Sequence, residues 1–182
     1  MKLPEKFKVL VITLSDRAHR GEYTDRSGPA VVKYVRYAMA SAGWDCDIST
    51  AVLPDDAVIL RKTMEEASGM DLIITTGGTG IGPRDVTVDV IKPLLTREIP
   101  GIMELIRVKY GMKNPNALIS RSVAGIAGKT LIYTLPGSVK AVHEYMAEIV
   151  RTMEHTFYML YGVDRHKVEG SRTGDRRLKT ED

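Results

Sequence analysis

Asp71-Leu72-Ile73-Ile74-Thr75-Thr76-Gly77-Gly78-Thr79-Gly80-Ile81-Gly82-Pro83-Arg84-Asp85-Val86-Thr87 is the stretch that decides the fold. A short apolar strand runs straight into a loop almost bare of side chains. The loop closes on an Arg-Asp pair at a helix start. Glycine lets the backbone take dihedrals closed to other residues and come close to a ligand. Successive free N–H groups beside a helix N-terminus attract anions, phosphates above all. The segment therefore reads as a phosphate or nucleotide cradle, with Arg84 as a cation and Asp85 as a carboxylate at its rim. It is none of the common phosphate loops. No Lys follows the glycines as a P-loop requires. Counted from Gly78, the last glycine of the dinucleotide fingerprint falls on Pro83. The His-Arg-Asp and Asp-Phe-Gly that accompany a kinase glycine loop do not occur in the sequence.

Upstream, residues 7–14 form a β-branched apolar run suited to a strand buried on both faces. A polar loop over residues 15–28 follows. Ala30, Val31, Tyr34, Val35, Ala38, Met39 and Ala42 then recur at helical spacing, up to a stop at Gly43. Residues 44–53 predict a second strand, with Cys46, Ile48 and Ala51 inward. Pro54-Asp55-Asp56 opens a helix carrying Val58, Ile59, Met64 and Ala67.

Downstream, residues 88–95 predict a short helix that Pro93 kinks or ends. Pro100-Gly101 opens another, with Ile102, Leu105, Ile106 and Val108 as its apolar positions. Residues 122–126 and 130–135 flank Ala127-Gly128-Lys129 as a hairpin. Pro136-Gly137-Ser138 turns into a long helix with Val142, Tyr145, Met146, Ile149, Val150, Met153, Phe157 and Leu160 at core spacing, and Met159 is assigned to packing as well. The alternation of strand and helix predicts an α/β three-layer sandwich. A mostly parallel sheet is flanked by helices and carries a small antiparallel hairpin element. One domain is expected over residues 1–162, followed by a polar tail over residues 163–182.

The 182 residues carry a net charge of only +3, and no basic run is interleaved with aromatics, which argues against nucleic acid. The single Cys46 excludes an internal disulfide and fits a reducing cytoplasm. No apolar run approaches membrane-span length and no signal peptide is visible, so a cytoplasmic protein without a membrane partner is expected. His143 and His155 lie twelve apart, about 120° round a helix, and no zinc-ligand spacing occurs, so no structural metal is expected.

Five motifs, in order, resemble a known family. Ser15-Asp16-Arg17 with Tyr23-x-Asp25-x-Ser27-Gly28 comes first, then Thr76-Gly77-Gly78-Thr79-Gly80-x-x-Pro83-Arg84-Asp85-Val86-Thr87. Arg97-Glu98-Ile99-Pro100-Gly101, Ser120-Arg121-Ser122-Val123-Ala124-Gly125 and Leu135-Pro136-Gly137-Ser138 follow. From about residue 8 to about residue 155 the chain is similar to the molybdenum-cofactor biosynthesis proteins of the MogA/MoaB type, which include the G domains of plant Cnx and gephyrin.

The resemblance implies a molybdopterin adenylyltransferase. Such an enzyme transfers AMP from ATP to the terminal phosphate of molybdopterin and releases pyrophosphate. It implies a homotrimer and hand-over of the adenylated pterin to a molybdate-insertion protein. Asp55 and Asp85 match the family's acidic positions and are expected to hold Mg²⁺, either directly or through water. Each has a simpler alternative as a helix N-cap, and Asp56 could take either role beside Asp55. Thr76, Gly77, Gly78, Thr79 and Gly80 would cradle the nucleotide phosphates. Pro136, Gly137 and Ser138 would contact adenosine or the α-phosphate, or serve only as turn and cap. The pterin falls to Ser15, Asp16, Arg17, Asp25, Ser120, Arg121 and Ser122. Ser138 stands where many adenylyltransferases carry Asn or Gln and leans toward the MoaB type. The alternative is a MoaB-type or scaffold-type pterin-binding protein without adenylyl transfer.

Overall fold

A computed structural model describes residues 2–164. The expected tail at 163–182 therefore lies, from residue 165 on, outside the described residues. The elements are β1 (Lys6–Leu14), α1 (Asp16–His19), α2 (Ser27–Ser41), β2 (Asp45–Leu53), α3 (Ala57–Glu66) and β3 (Leu72–Thr76). They continue with α4 (Thr87–Ile91), β4 (Arg97–Glu98), α5 (Pro100–Gly111), β5 (Ala124–Ala127), β6 (Thr130–Leu135) and α6 (Val139–Leu160).

The strands form one six-stranded sheet in the order β2-β1-β3-β6-β5-β4. Pairings of β1 with β2, β1 with β3, and β3 with β6 are parallel, whereas β5 runs antiparallel to both β6 and β4. Every residue of β3 is buried, as a central parallel strand requires, while β2 alternates between half-buried and exposed along much of its length, as an edge strand does. Successive strand residues face opposite layers. Val9 and Val11 of β1 pack with Met39 of α2, Met103 of α5 and Phe157 of α6; Leu10 and Ile12 pack on the other side with Leu60 of α3 and Ile91 of α4. This is the three-layer sandwich with its late antiparallel element, and the Gly128-Lys129 connection between Ala127 and Thr130 is the predicted hairpin.

The register positions the site. Thr13 pairs with Thr76, Thr76 pairs with Leu135, and Leu14 pairs with Leu53. The four parallel strands therefore end level, and the loops after them emerge side by side at one edge.

Several apolar positions fall on the other face from the one their spacing suggested. On α3 the Asp56 cap sets the phase that buries Leu60, Met64 and Ala67, and it leaves Val58 77% exposed and Ile59 41% exposed. On α5 the core positions are Met103 and Ile106, while Leu105 and Val108 face outward. Met146 and Met153 are buried, but Met159, about 220° round the helix from Met146, is exposed. The Pro93 stop appears as a change from α4 to a 3₁₀ turn at Lys92–Leu94. The polar loop contains α1, and both β4 and a 3₁₀ turn at Pro115–Ile119 are additional elements.

Between α5 and α6 lies Glu148, only 5% exposed, accepting from Lys109 Nζ at 2.6 Å, Arg151 Nη1 at 3.1 Å and the Tyr110 hydroxyl at 3.2 Å. The Lys109 hydrogen bond leads in holding its pKa below the ordinary glutamate value of 4.5. A depressed carboxylate stabilises the fold above its unfolded pKa, and that stability is lost as pH falls through the folded pKa. Glu148→Gln is therefore expected to be less stable than the parent at neutral pH. Its stability should also fall less steeply below about pH 4.5, as measured by denaturant unfolding across pH.

Candidate functional site

Four loops build the site at the carboxyl edge of the sheet. After β1, Ser15 caps α1, its Oγ accepting from Ala18 N at 3.3 Å, and its own N–H donates to Leu53 O at 2.9 Å. Asp16 N donates to Asp55 Oδ2 and Asp55 N donates to Asp16 Oδ1, both at 3.0 Å. Each carboxylate thus accepts the other residue's amide, which locks the β1 and β2 loops together. The cap of α3 is Asp56, whose Oδ1 accepts from Val58 N at 2.8 Å and Ile59 N at 3.0 Å. Asp55 is thereby released from the capping role. Asp56→Ala is expected to cost about 1 kcal/mol in denaturant unfolding while leaving ligand binding intact.

The glycine loop after β3 needs positive φ at Gly77 (+105°) and Gly78 (+64°). Thr87, at the start of α4, pins it: its hydroxyl donates to Gly77 O at 2.8 Å and its N–H to Gly78 O at 3.0 Å. The N–H groups of Gly78, Thr79 and Gly80 donate to no protein acceptor among the described residues. Thr76 lies beneath this cradle, its hydroxyl donating to Pro136 O at 2.9 Å. Asp85 does not cap α4, where Val86 holds the cap position without a side-chain bond. Its Oδ2 instead accepts from Gly82 N at 2.8 Å and closes the loop on itself.

Arg84 reaches across the edge. Its Nη2 donates to Asp16 Oδ1 at 2.8 Å and Oδ2 at 2.7 Å. The Asp55 amide, and after it Arg84, hold the Asp16 carboxyl below the usual carboxylate range. Ser138 caps α6, its Oγ accepting from Ala141 N at 3.1 Å.

Two clefts flank this arrangement. A larger one of ≈ 740 Å³ is lined by Ser15, Asp16, Arg17, Asp25, Asp55 and Arg84, among others. A smaller one of ≈ 400 Å³ is lined by Thr79, Gly80, Ser120, Pro136, Lys140 and Tyr145, among others. Gly78, Asp85, Gly137 and Ser138 line both and form the ridge between them, and Gly77 lines the larger cleft alone.

The sequence-expected pterin residues are therefore not one cluster. Ser15, Asp16, Arg17 and Asp25 lie in the larger cleft and Ser120 in the smaller. Ser122 is buried, its hydroxyl 2.9 Å from that of Ser120. Asp25 lines its cleft with its carboxylate already occupied: Oδ1 accepts from Ser27 N, Ser27 Oγ and Gly28 N, and Oδ2 from Thr13 Oγ1. It holds the start of α2 against the end of β1. Arg121 lines neither cleft, because its guanidinium is spent on the glycine loop and Asp89. The sequence reading missed Lys140 and the cleft-facing part of Tyr145. Lys140 stands two residues after the Ser138 cap, so the turn itself signalled its place. Tyr145 sits at core spacing and gave no such signal, although its buried hydroxyl has no protein partner among the described residues.

No group of three or more His, Cys, Asp and Glu among the described residues is arranged to hold a metal by itself. Asp55 and Asp85 each keep one carboxylate oxygen without a protein partner among the described residues, in the same cleft. That donor set suits Mg²⁺, which takes one or two carboxylates and fills its shell with water and phosphate oxygens.

Residues 10–155 match the family model described as a probable molybdopterin binding domain. Over 167 residues the chain is 38% identical to gephyrin from Dictyostelium discoideum, covering 87% of this chain and 23% of that protein. Over 159 residues it is 35% identical to a molybdenum cofactor biosynthesis bifunctional protein from Chlorobaculum tepidum, covering 85% of this chain and 49% of that one. The chain thus spans less than half the length of these two relatives. Among solved structures, the molybdopterin biosynthesis enzyme MoaB from Thermus thermophilus matches with a TM-score of 0.73 and 36% identity, over 86% of this chain and 97% of that one. The level strand ends, the glycine ridge and these matches agree: the chain belongs to the MogA/MoaB family of molybdopterin-binding proteins of molybdenum-cofactor biosynthesis.

Proposed function

We propose that the protein is a molybdopterin adenylyltransferase, transferring AMP from ATP to the terminal phosphate of molybdopterin with release of pyrophosphate. The observation that carries this reading is the ridge of Gly78, Asp85, Gly137 and Ser138 shared by two clefts. A protein that only holds a pterin needs one cleft. Two clefts meeting over unbonded backbone donors suit the meeting of two anionic ligands.

The chemistry asks for positioning and charge management more than for a base, because the attacking phosphate is already anionic at neutral pH. The N–H groups of Gly78 at the ridge, and of Thr79 and Gly80 in the smaller cleft beside it, bind phosphate oxygens. The N-terminus of α6, 22 residues long, presents further donors beside Ser138. Arg84 and Lys140 supply cations on the two sides. Asp55 and Asp85 would hold Mg²⁺, which when bound neutralises phosphate charge and eases departure of pyrophosphate. On this reading the protomers form a trimer in the cytoplasm, and the adenylated pterin passes to a molybdate-insertion protein.

With ATP labelled at the α-phosphate, anaerobic molybdopterin and Mg²⁺, label should appear on the pterin. Tight pterin binding with no label transfer would leave a MoaB-type or scaffold-type holding protein instead.

A further inference from the structure

We propose that Arg121 is a positioning residue that fixes the Asp85 turn against the ridge, and that it does not contact the pterin. The catalytic consequence rests on the adenylyl-transfer reading, whereas the tether itself does not.

The loop from Gly80 to Asp85 has little else to hold it. Ile81, Gly82, Pro83 and Arg84 are exposed. The bonds of Gly82 N to Asp85 Oδ2, Asp85 N to Gly82 O and Val86 N to Arg84 O are all internal to the turn. They keep its shape without fixing its place. Arg84 reaches Asp16 through Nη2 alone, in a partly solvated ion pair that touches no backbone of the turn.

Arg121 supplies the missing anchor. Its own N–H donates to Thr79 O at 2.9 Å, so the chain before β5 already runs along the loop. Its guanidinium then donates from Nε to Gly80 O at 2.7 Å and from Nη2 to Asp85 O at 2.8 Å, one carbonyl at each end of the turn. The guanidinium is itself held by Asp89 of α4, Nη1 to Oδ1 at 2.7 Å and Nη2 to Oδ2 at 3.0 Å. One planar fork therefore ties the entry of the turn, its exit and the following helix. Lysine has no such fork: its three donors radiate from a single nitrogen, so it cannot set the distance between these acceptors.

The test compares the full-length protein with Arg121→Ala, Arg121→Lys and Asp89→Asn, first by hydrogen exchange without ligand. The hydrogen-bonded amides of the turn, those of Gly82, Asp85, Val86 and Thr87, should exchange about tenfold faster or more in Arg121→Ala and Arg121→Lys, with β3 unchanged. Asp89→Asn, which loosens the guanidinium without removing it, should fall between and keeps the test open if Arg121→Ala fails to fold. In turnover, kcat should drop about 100-fold in Arg121→Ala, as for a small misplacement of reacting groups, with KM for molybdopterin little changed. Unchanged exchange at these turn amides together with weakened molybdopterin binding would overturn the proposal and make Arg121 a ligand contact. A parent protein that lacks transfer activity would defeat the enzyme reading alone, because the exchange result stands without it.

Discussion

Asp85→Ala is expected to lower adenylyl transfer by about 10²–10³-fold or more while molybdopterin still binds. Asp85 is the one carboxylate that lines both clefts, and its Oδ2 also closes the loop through Gly82 N at 2.8 Å. Alanine removes both contributions together. Asp85→Asn separates them, since a side-chain amide oxygen can still accept from Gly82 while the negative charge is gone. If charge toward a divalent cation is what matters, the Asn variant should unfold like the parent yet transfer as poorly as the Ala variant. If loop closure is what matters, Asn should retain most of the activity. Measuring transfer and denaturant midpoint on both variants decides between the two.

Gly77→Ala should have the largest effect on stability, about 3–5 kcal/mol in denaturant unfolding, enough to leave a marginal domain substantially unfolded. Gly77 has φ +105°, and a Cβ there would stand 2.1 Å from Leu14 O. That oxygen is backbone at the end of β1, so no side chain can rotate away to relieve the clash. The Gly77 N–H is also bonded to Leu135 O at 2.9 Å, which ties the loop to β6 and resists any shift of the peptide. Gly21 is the control. It has φ +74° with open space around it, so Gly21→Ala should cost only the conformational penalty of about 1–2 kcal/mol. Equal losses at the two positions would mean that the close approach of the β1 and β3 ends contributes nothing.

What could be read from the sequence was what is written locally. The apolar run into Thr76-Gly77-Gly78-Thr79-Gly80 announces a parallel strand meeting an anion cradle, because glycine and β-branched residues act through their own backbone. The strand and helix order followed from periodicity in the same way. The faces of α3 and α5 were harder, since Val58, Ile59, Leu105 and Val108 are apolar yet exposed, and an exposed aliphatic residue violates no rule. There the phase is set by where each helix starts, by the Asp56 cap and at Pro100.

The site was legible by edge but not by cleft. Asp55 and Asp56 are adjacent and chemically identical, and only the Val58 and Ile59 amides show which one caps. Asp25 looks like a ligand until Thr13, twelve residues away in sequence, takes its second oxygen. Ser120 and Asp16 belong to opposite sides of the ridge because β6 inserts between β3 and the antiparallel β5. The fate of Arg121 depends on carbonyls roughly forty residues earlier, which no spacing within its own motif reveals.

The most direct measurement is pyrophosphate release with ATP, Mg²⁺ and anaerobically prepared molybdopterin. Release in proportion to the molybdopterin consumed, and none when either molybdopterin or Mg²⁺ is omitted, is the predicted result. Bound molybdopterin with no pyrophosphate released would contradict adenylyl transfer and leave a protein that holds the pterin without activating it.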